Sequence, residues 1–325
     1  MSRRSGSFLS KNNLLHTAMG HQIGLCLVLL IFCSGTICSL HAYSLPWTWF
    51  TRQNGLPEDP VRQVLEDQDG RLLVLTYNEG LFYYDGRQFL SHPANQYLPS
   101  LFIQTVLRDQ GGRLWFACNY RGIWIYENGQ IQPLAENTLF RNQHFTCLYC
   151  DSKNRIWTYV NRVGLFLIEE GTVTHLTTRF SLPLEDITEM QEAQGVFYLL
   201  STQGTLQALD LRKATVVTLP DLPAQRIVHF LFTQDSTLLT LEAGRGLVQY
   251  EKNGSDVLQP LNINYASRLF KDARGVIWFS LPDYLCCYDR QGKRFIKYQF
   301  MEGITPFEDR FHHLWVPSPD RKSVV

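Results

Sequence analysis

The stretch Val61-Arg-Gln-Val-Leu-Glu-Asp67 places the apolar residues Val61, Val64 and Leu65 ahead of a closing aspartate. The same pattern returns 42 residues later from Ile103 to Asp109, and after another 42 residues from His144 to Asp151. Fainter copies follow, with marker residues at Glu192, Gln234, Asp272 and Asp309. Seven copies in one register identify the chain as a repeat protein.

Each repeat has the composition of a small antiparallel sheet. The terminal Asp can bond the backbone of the tight turn that follows it. A second strand such as Arg113-Leu-Trp-Phe-Ala117 comes next, then a third such as Ile123-Trp-Ile-Tyr126, and Asn128-Gly129 turns into a fourth. Four short strands in about 42 residues are typical of a propeller blade, which buries both faces by stacking on its neighbours. The sequence therefore predicts an all-β protein, a β-propeller with six complete four-stranded repeats and a partial seventh.

The predicted propeller occupies residues 45–325, and its last blade is incomplete. The seventh repeat supplies two strands, around Ile304 to Asp309 and His313 to Val316. Trp47-Thr-Trp-Phe-Thr51 could add an outer strand from the N-terminal side. We expect a seam between the first and last blades, self-association through its open edges, and a longer parent protein.

Residues 1–44 read as a signal peptide or an uncleaved membrane anchor. Arg3, Arg4 and Lys11 give a positive start, and Ile23 to Leu40 is an apolar run. Ala42 and Ser44 then offer a small-x-small cleavage site, although the run is also just long enough to span a bilayer. In either case we expect the propeller outside the cytoplasm, in the periplasm.

The charge balance argues against a nucleic-acid partner. The chain has 30 basic and 30 acidic residues, and the first 44 residues hold three of the former and none of the latter. The propeller region is thus slightly negative and has no excess positive charge to bind a phosphate backbone.

The cysteines predict neither a metal site nor a disulfide framework. Cys147 and Cys150 are three apart on a strand-like stretch, so their side chains point to opposite faces. We expect a packing role for the cysteines beyond residue 44, namely Cys118, Cys147, Cys150, Cys286 and Cys287. No cofactor motif accompanies them.

The amino-acid sequence of the repeats resembles that of the two-component regulator propeller family. Gly55-Leu-Pro-Glu-Asp59-Pro-Val61 is similar to that family's repeat opening, with Asp59 in place of the usual Asn, and Lys271 to Trp278 keeps the family's turn. The resemblance runs from about Trp47 to Val316. It implies the extracytoplasmic sensor region of a histidine-kinase-type sensor, many of which respond to oligosaccharides. It also implies that the output domain would lie in a downstream region that this chain lacks.

Ligand contacts are expected in the loops between the second and third strands, because these loops open on one face of a propeller. Aromatic rings stack on sugars, amides bond hydroxyls, and Arg grips carboxylate or sulfate. Arg121, Arg162 and Arg245 occupy such loops and are expected to converge on one anionic group. The candidate ligand-binding residues are Tyr77, Asn78, Asn119, Tyr120, Arg121, Asn161, Arg162, Arg245 and Tyr284.

Two other functions remain open for this chain. A scaffold for protein contact is the main alternative, and a propeller hydrolase or lyase with an acid pair such as Glu185 and Asp186 is a weaker one. No nucleophile elbow or phosphate loop supports an enzyme.

The aspartates recur at one position of every well-preserved repeat, which predicts turn capping: Asp67, Asp109, Asp151 and Asp272. The repeated Trp residues are expected to pack between blades.

Overall fold

Sets of four hydrogen-bonded antiparallel strands recur six times along the chain, in the order in which they occur in the sequence. The computed structural model describes residues 48–180, 186–210, 215–219, 226–233, 235–251, 254–263, 266, 268–299, 305–318 and 323–324. The export signal predicted in residues 1–44, together with Trp47 and Glu185, lies outside the described residues. No helix among the described residues is both long and apolar enough to cross a membrane.

The first three blades have nearly equal strands. Blade 1 contains β1 (Val61–Glu66), β2 (Leu72–Thr76), β3 (Leu81–Tyr84) and β4 (Phe89–Ser91). Blade 2 contains β5 (Ile103–Arg108), β6 (Leu114–Cys118), β7 (Gly122–Glu127) and β8 (Gln130–Pro133). Blade 3 contains β9 (Phe145–Cys150), β10 (Ile156–Val160), β11 (Gly164–Glu169) and β12 (Thr172–His175).

The later repeats form blades too. Blade 4 contains β13 (Ile187–Ala193), β14 (Val196–Ser201), β15 (Leu206–Asp210) and β16 (Thr215–Thr218). Blade 5 contains β17 (Ile227–Phe232), β18 (Leu238–Glu242), β19 (Gly246–Glu251) and β20 (Gly254–Pro260). Blade 6 contains β21 (Phe270–Lys271), β22 (Ile277–Leu281), β23 (Tyr284–Asp289) and β24 (Arg294–Gln299).

A two-stranded seventh unit and short helical turns complete the described chain. The unit is β25 (Phe307–Glu308) and β26 (Leu314–Trp315), followed by the pair β27 (Pro317–Ser318) and β28 (Ser323–Val324). The short helices among the described residues are the 3-10 turns Arg52–Asn54, Pro93–Gln96 and Asn137–Phe140 and the α-helix α1 (Thr177–Phe180). The predicted six complete blades and two-stranded seventh repeat are confirmed.

The apolar core lies between blades. Every residue of β2, β6, β10 and β18 is buried, because each of these second strands is covered on both faces. In β2, Leu73 and Leu75 pack toward blade 2, whereas Leu72 and Val74 pack toward Trp315 of the seventh unit. A continuous apolar run instead of an alternating one is what a strand buried on both faces requires.

The ring closes through the seventh unit. Leu314 and Val316 pack against Trp278 of blade 6, and Trp315 packs into the core of blade 1. Phe50 contributes from the N-terminal side, with its ring centroid 5.6 Å from that of Trp315. Each neighbouring pair of units, including this one, therefore shares an apolar core.

Buried aspartates cap the turns between first and second strands, as predicted. The Asp109 carboxylate accepts from the Arg113 amide (2.9 Å), from the Arg113 guanidinium (2.6 Å) and from the Trp115 indole (2.9 Å). Asp151, Asp272 and Asp309 likewise bind the indole six residues later, and Asp67 binds the amide and guanidinium of Arg71. The predicted packing of the repeated Trp residues is confirmed as well, since Trp115, Trp157 and Trp278 are buried between blades.

The cysteines beyond residue 44 belong to these cores, as predicted. Cys118, Cys147, Cys286 and Cys287 are buried, and Cys150 packs at the core between blades 2 and 3. Burial raises the pKa of the Cys118 and Cys286 thiols to about 12. They therefore stay protonated, which is the state that suits packing.

Candidate functional site

Strand order places the predicted ligand residues on one side of the ring. The loops between second and third strands and the connections between blades lie on one face, here called the loop face. The turns between first and second strands and between third and fourth strands lie on the other, here called the turn face. All of the candidate residues belong to the loop face, with Tyr284 at the start of β23.

In blade 1 the candidates Tyr77 and Asn78 contact neighbouring side chains. The Arg62 guanidinium lies 4.2 Å from the centroid of the Tyr77 ring and also donates to the Gln104 side chain at 2.6 Å. Asn78 donates to Asp59 at 2.9 Å. Burial lowers the pKa of Arg62, although Tyr77 and Asp59 act in the opposite direction. Tyr77 remains partly exposed and can still offer one ring face.

Asn119 and Asn161 connect blades. Asn119 is only 2% exposed; its amide donates to Gln104 at 3.0 Å and accepts from the Phe145 amide at 3.0 Å. Asn161 donates to Asp186 at 3.0 Å, and Asp186 also accepts from the Arg162 amide. Both Asn side chains are thus committed to holding the loop face together, and Asp186 is part of that framework.

Arg245 is not brought together with Arg121 and Arg162. Its guanidinium donates to the buried Glu242 carboxylate at 2.7 Å and reaches Ser255 on the outermost strand of its own blade at 3.4 Å. Glu242 also accepts from Tyr250 at 2.6 Å. The side chain is therefore drawn outward within blade 5, and the expected convergence of three arginines does not occur.

Tyr120 and Arg121 are exposed at the junction of blades 2 and 3. The Tyr120 ring is 51% exposed, and its backbone is left-handed, with φ of 64°. Arg121 forms an isolated antiparallel bridge with Arg141, which lies in the connection to blade 3. Arg162 is also exposed, and the exposed Tyr284 ring lies 5.4 Å from the Lys297 ammonium.

A further polar cluster lies at the loop-face ends of the inner strands in blades 4 and 5. His229 contacts the Glu189 carboxylate through Nδ1 (3.1 Å) and the Ala266 carbonyl through Nε2 (2.9 Å), and Arg268 donates to the Thr188 carbonyl (2.8 Å). A carbonyl can only accept, so the contact with Ala266 places a proton on Nε2 of His229.

Sequence reasoning missed this cluster. Glu189 and His229 each follow a register shift at the start of their strand, where a β-bulge re-aims the side chain. The equivalent residues of blades 1 and 2 are Gln63 and Thr105. A polar residue at this position in blades 1, 2, 4 and 5, where blade 3 has Cys147, is the signal that would have pointed to it.

The turn face carries a shallow groove of about 390 Å³ between blades 3 and 4. Both of its acidic residues already have partners: Glu192 accepts from the amide (2.7 Å) and hydroxyl (2.9 Å) of Ser152, and Asp151 accepts from the Trp157 indole. Among the described residues, no three His, Cys, Asp or Glu side chains group as metal ligands.

No family model and no curated protein sequence matches this chain. The extracellular domain of a putative hybrid two-component system from B. thetaiotaomicron is similar in structure, with a TM-score of 0.69 and 18% identity, covering 84% of this chain and 40% of that one. The extracellular domain of a putative one-component system from the same organism has a TM-score of 0.68 and 16% identity, covering 82% and 38%.

Virginiamycin B lyase from Staphylococcus aureus also has this fold, with a TM-score of 0.63 and 12% identity, covering 82% of this chain and 94% of the lyase. At such identities the likeness shows the fold alone. The chain spans about two fifths of the length of the two sensor structures. The β-propeller expected from the repeats is therefore shared with extracellular sensor domains of the predicted kind, and with an enzyme.

Proposed function

We propose that this chain is the ligand-sensing propeller of a two-component-type sensor and that it recognises an oligosaccharide on its loop face. The observation that carries the proposal is the distribution of exposed aromatic rings. Five of the seven exposed aromatic rings among the described residues lie on the loop face: Tyr77, Tyr120 and Tyr284 at the second-to-third-strand loops, and Tyr97 and Phe102 in the connection from β4 to β5. The other two are Trp49, which precedes blade 1, and Phe311, which lies on the turn face.

Exposed rings on one face of a rigid ring suit a sugar ligand. An aromatic face contributes a large contact area to a sugar ring with little loss of side-chain entropy. Exposed apolar groups gathered on one face of a protein commonly mark a binding surface. The exposed Arg121 and Arg162 add donors for hydroxyl or acidic groups.

Calorimetric titration of the purified chain with neutral and acidic tetrasaccharides tests this proposal. We expect Tyr120→Ala to weaken binding about three- to tenfold, because stacking contributes roughly 0.5–1.5 kcal/mol. The matched control is Phe311→Ala, since Phe311 is 69% exposed but lies on the turn face. If the folded chain binds no saccharide at all, protein contact becomes the leading function.

Export is the second part of the proposal. The positive start and apolar run of residues 1–44 support a location outside the cytoplasm, in the periplasm. A fusion of residues 1–60 to alkaline phosphatase should be active, because that enzyme needs an oxidising compartment for its disulfides. An inactive fusion retained in the cytoplasm contradicts this part and leaves the binding proposal to its own test.

A further inference from the structure

We propose that Arg121 and Arg141 form a binding site for the acidic group of a sugar, a carboxylate or a sulfate, and that Tyr120 stacks on the ring that carries it. The inference rests on the proposed function and deepens it by naming the ligand's chemistry. The site lies at the junction of blades 2 and 3, on the loop face.

The backbone brings the two arginines side by side. Arg121 and Arg141 are partners in an antiparallel bridge, and the Asn142 amide donates to the Tyr120 carbonyl at 3.2 Å beside it. Because this hydrogen bond joins the neighbours of the two arginines, Arg121 and Arg141 form a non-hydrogen-bonded pair of the bridge. In such a pair the Cα atoms are about 4.5 Å apart and the two side chains lie on the same face. The two arginine side chains therefore leave the backbone side by side.

The two arginines differ from others in the chain in their lack of a carboxylate partner among the described residues. Both side chains are exposed, and among the described residues neither forms an ion pair. Other arginines do, as with Arg113 on Asp109, Arg155 on Asp151 and Arg245 on Glu242. Like charges directly opposite one another on a bridge are unfavourable. An anion bound between them would remove that repulsion.

Tyr120 is held beside the pair in a conformation that a bulky residue rarely adopts. Its amide donates to the Gln143 carbonyl at 2.8 Å, and its carbonyl is the acceptor of the bond that flanks the bridge. The equivalent positions are Arg162 in blade 3 and Gly244 in blade 5, and both are also left-handed. A tyrosine in a position suited to glycine is a local cost, and such costs cluster where a side chain serves a ligand.

Together these residues match an acidic sugar. An Arg guanidinium binds carboxylate or sulfate through parallel hydrogen bonds. Tyr120 directly precedes Arg121 in the chain, so a sugar ring stacked on Tyr120 would lie next to the arginine pair. A neutral sugar would use the ring and leave the arginines without a partner.

The test compares three tetrasaccharides of one length: tetragalacturonate, a sulfated heparin-type tetrasaccharide and neutral cellotetraose. We expect one or both acidic sugars to bind, and Arg121→Gln and Arg141→Gln each to weaken that binding about tenfold, as loss of a charge-assisted bond does. The double variant should lose less than the product of the two single losses, because both arginines hold one group. Neutral binding should not change.

Stability measurements separate binding from folding. At low salt the arginine variants should melt no lower than the parent, and Tyr120→Gly should melt higher while binding less tightly. Arg87→Gln is the matched control, because Arg87 is exposed in the turn between β3 and β4 on the turn face. Its affinity should equal that of the parent.

A simple anion distinguishes the failure of this inference from failure of the proposed function. If no saccharide binds but inorganic sulfate raises the melting temperature of the parent more than that of the double arginine variant, the anion site stands and the oligosaccharide proposal fails. If acidic saccharides bind the double variant as tightly as the parent, the site is overturned and the proposed function survives. If neither saccharide nor sulfate distinguishes the variants, the anion site is wrong.

Discussion

The Asp109 carboxylate combines two roles that a repeat sequence shows only in part. Its position before a turn predicts the bond to the Arg113 amide, because Asp commonly caps such turns. The bond to the Trp115 indole was not foreseen, since it needs the ring to fold back over the turn from the next strand. The carboxylate therefore joins turn geometry to inter-blade packing.

Asp109→Ala should lower the free energy of unfolding by roughly 2–4 kcal/mol, because it leaves a buried indole N–H and a partly buried guanidinium without their acceptor. Urea denaturation measures the change. The control is Asp69→Ala, since Asp69 is exposed in the equivalent turn of blade 1 and should cost at most about 0.5 kcal/mol. Equal losses in the two variants would contradict the assigned role.

The Asp151 carboxylate predicts how the stability of the protein changes at acidic pH. Burial acts to raise its pKa, but the hydrogen bonds from Trp157 and Arg155 outweigh burial and hold the pKa below its ordinary value. The resulting stabilisation is present above the pKa of the unfolded state, about 3.9, and is lost as pH falls through the lower folded-state pKa. Asp151→Asn should flatten the acid limb of a melting-temperature profile below about pH 4.

His92 titrates in a different window. Burial, aided by the Arg71 charge and opposed by Asp67, lowers its pKa to about 4, and its neutral Nδ1 accepts from the Ala94 amide at 3.2 Å. The unfolded chain binds the proton at about pH 6.5, so stability is full above that pH and falls as pH drops toward 4.

The loss across that window is on the order of 3 kcal/mol. Melting curves of the parent and of His92→Gln between pH 4 and 7 measure it. The variant should be less stable at pH 7 but nearly independent of pH. An equally steep profile in the variant would assign the slope to another group.

Single elements show how far sequence reasoning reaches. The second strand predicted as residues 113–117 is β6, Leu114–Cys118, because an apolar run between turn residues leaves little freedom in its bounds. Blade 4 forms even though its repeat has lost the Asp and the Trp, since Phe197 and Leu199 still fill the core against Trp157. The apolar pattern and the turn residues depend only on nearby sequence, so they still indicate a blade after the repeat motif itself has diverged.

The loops show where sequence reasoning stops. Their shared face follows from strand order alone, but side-chain direction depends on partners that look like core residues. Glu242 lies in a run of buried strand residues, so the sequence around it did not indicate that it would bind Arg245. Arg141 became a candidate only once the bridge placed it against Arg121.

Side-chain amides join neighbouring inner strands, and Gln63 gives the clearest case. Its Nε2 donates to the Val106 carbonyl at 2.8 Å, and its Oε1 accepts from the Val106 amide at 3.1 Å. Gln63→Leu should cost about 1–3 kcal/mol, because it leaves both backbone groups unpaired. Chemical denaturation measures the loss, with Gln132→Leu on the exposed outer strand β8 as control. A Gln63→Leu variant as stable as the control would exclude this role.

At the scale of the whole molecule, the seam between the seventh unit and blade 1 decides whether the ring is closed. Its apolar part is the contact of Trp315 with Phe50 and Val64, and its polar part is the bond from the Arg310 amide to Glu66 at 3.0 Å. The same contact recurs at two other interfaces, where the Ser152 amide donates to Glu192 and the Ala273 amide donates to Glu308.

Trp315→Ala should destabilise the protein by about 3–5 kcal/mol through lost burial and an internal cavity. Hydrogen exchange should rise first in β1 and β26 while blades 3 and 4 stay protected. Phe311→Ala serves as the control, since its ring is exposed. Uniform loss of protection around the whole ring would mean that the seam is not the weakest interface.

The seam also has a mechanical consequence. Because Phe50 and Trp315 touch, the first and last strands of the ring are neighbours in space, and a pulling force applied across them loads that one contact before any blade. Within a blade each strand is held by a hydrogen-bonded ladder, whereas the seam depends largely on side chains. Under tension the seam should therefore separate at a lower force than any blade, which opens the ring into an arc of intact blades. Single-molecule stretching would register this as a small early extension, separate from the later unravelling of the strands.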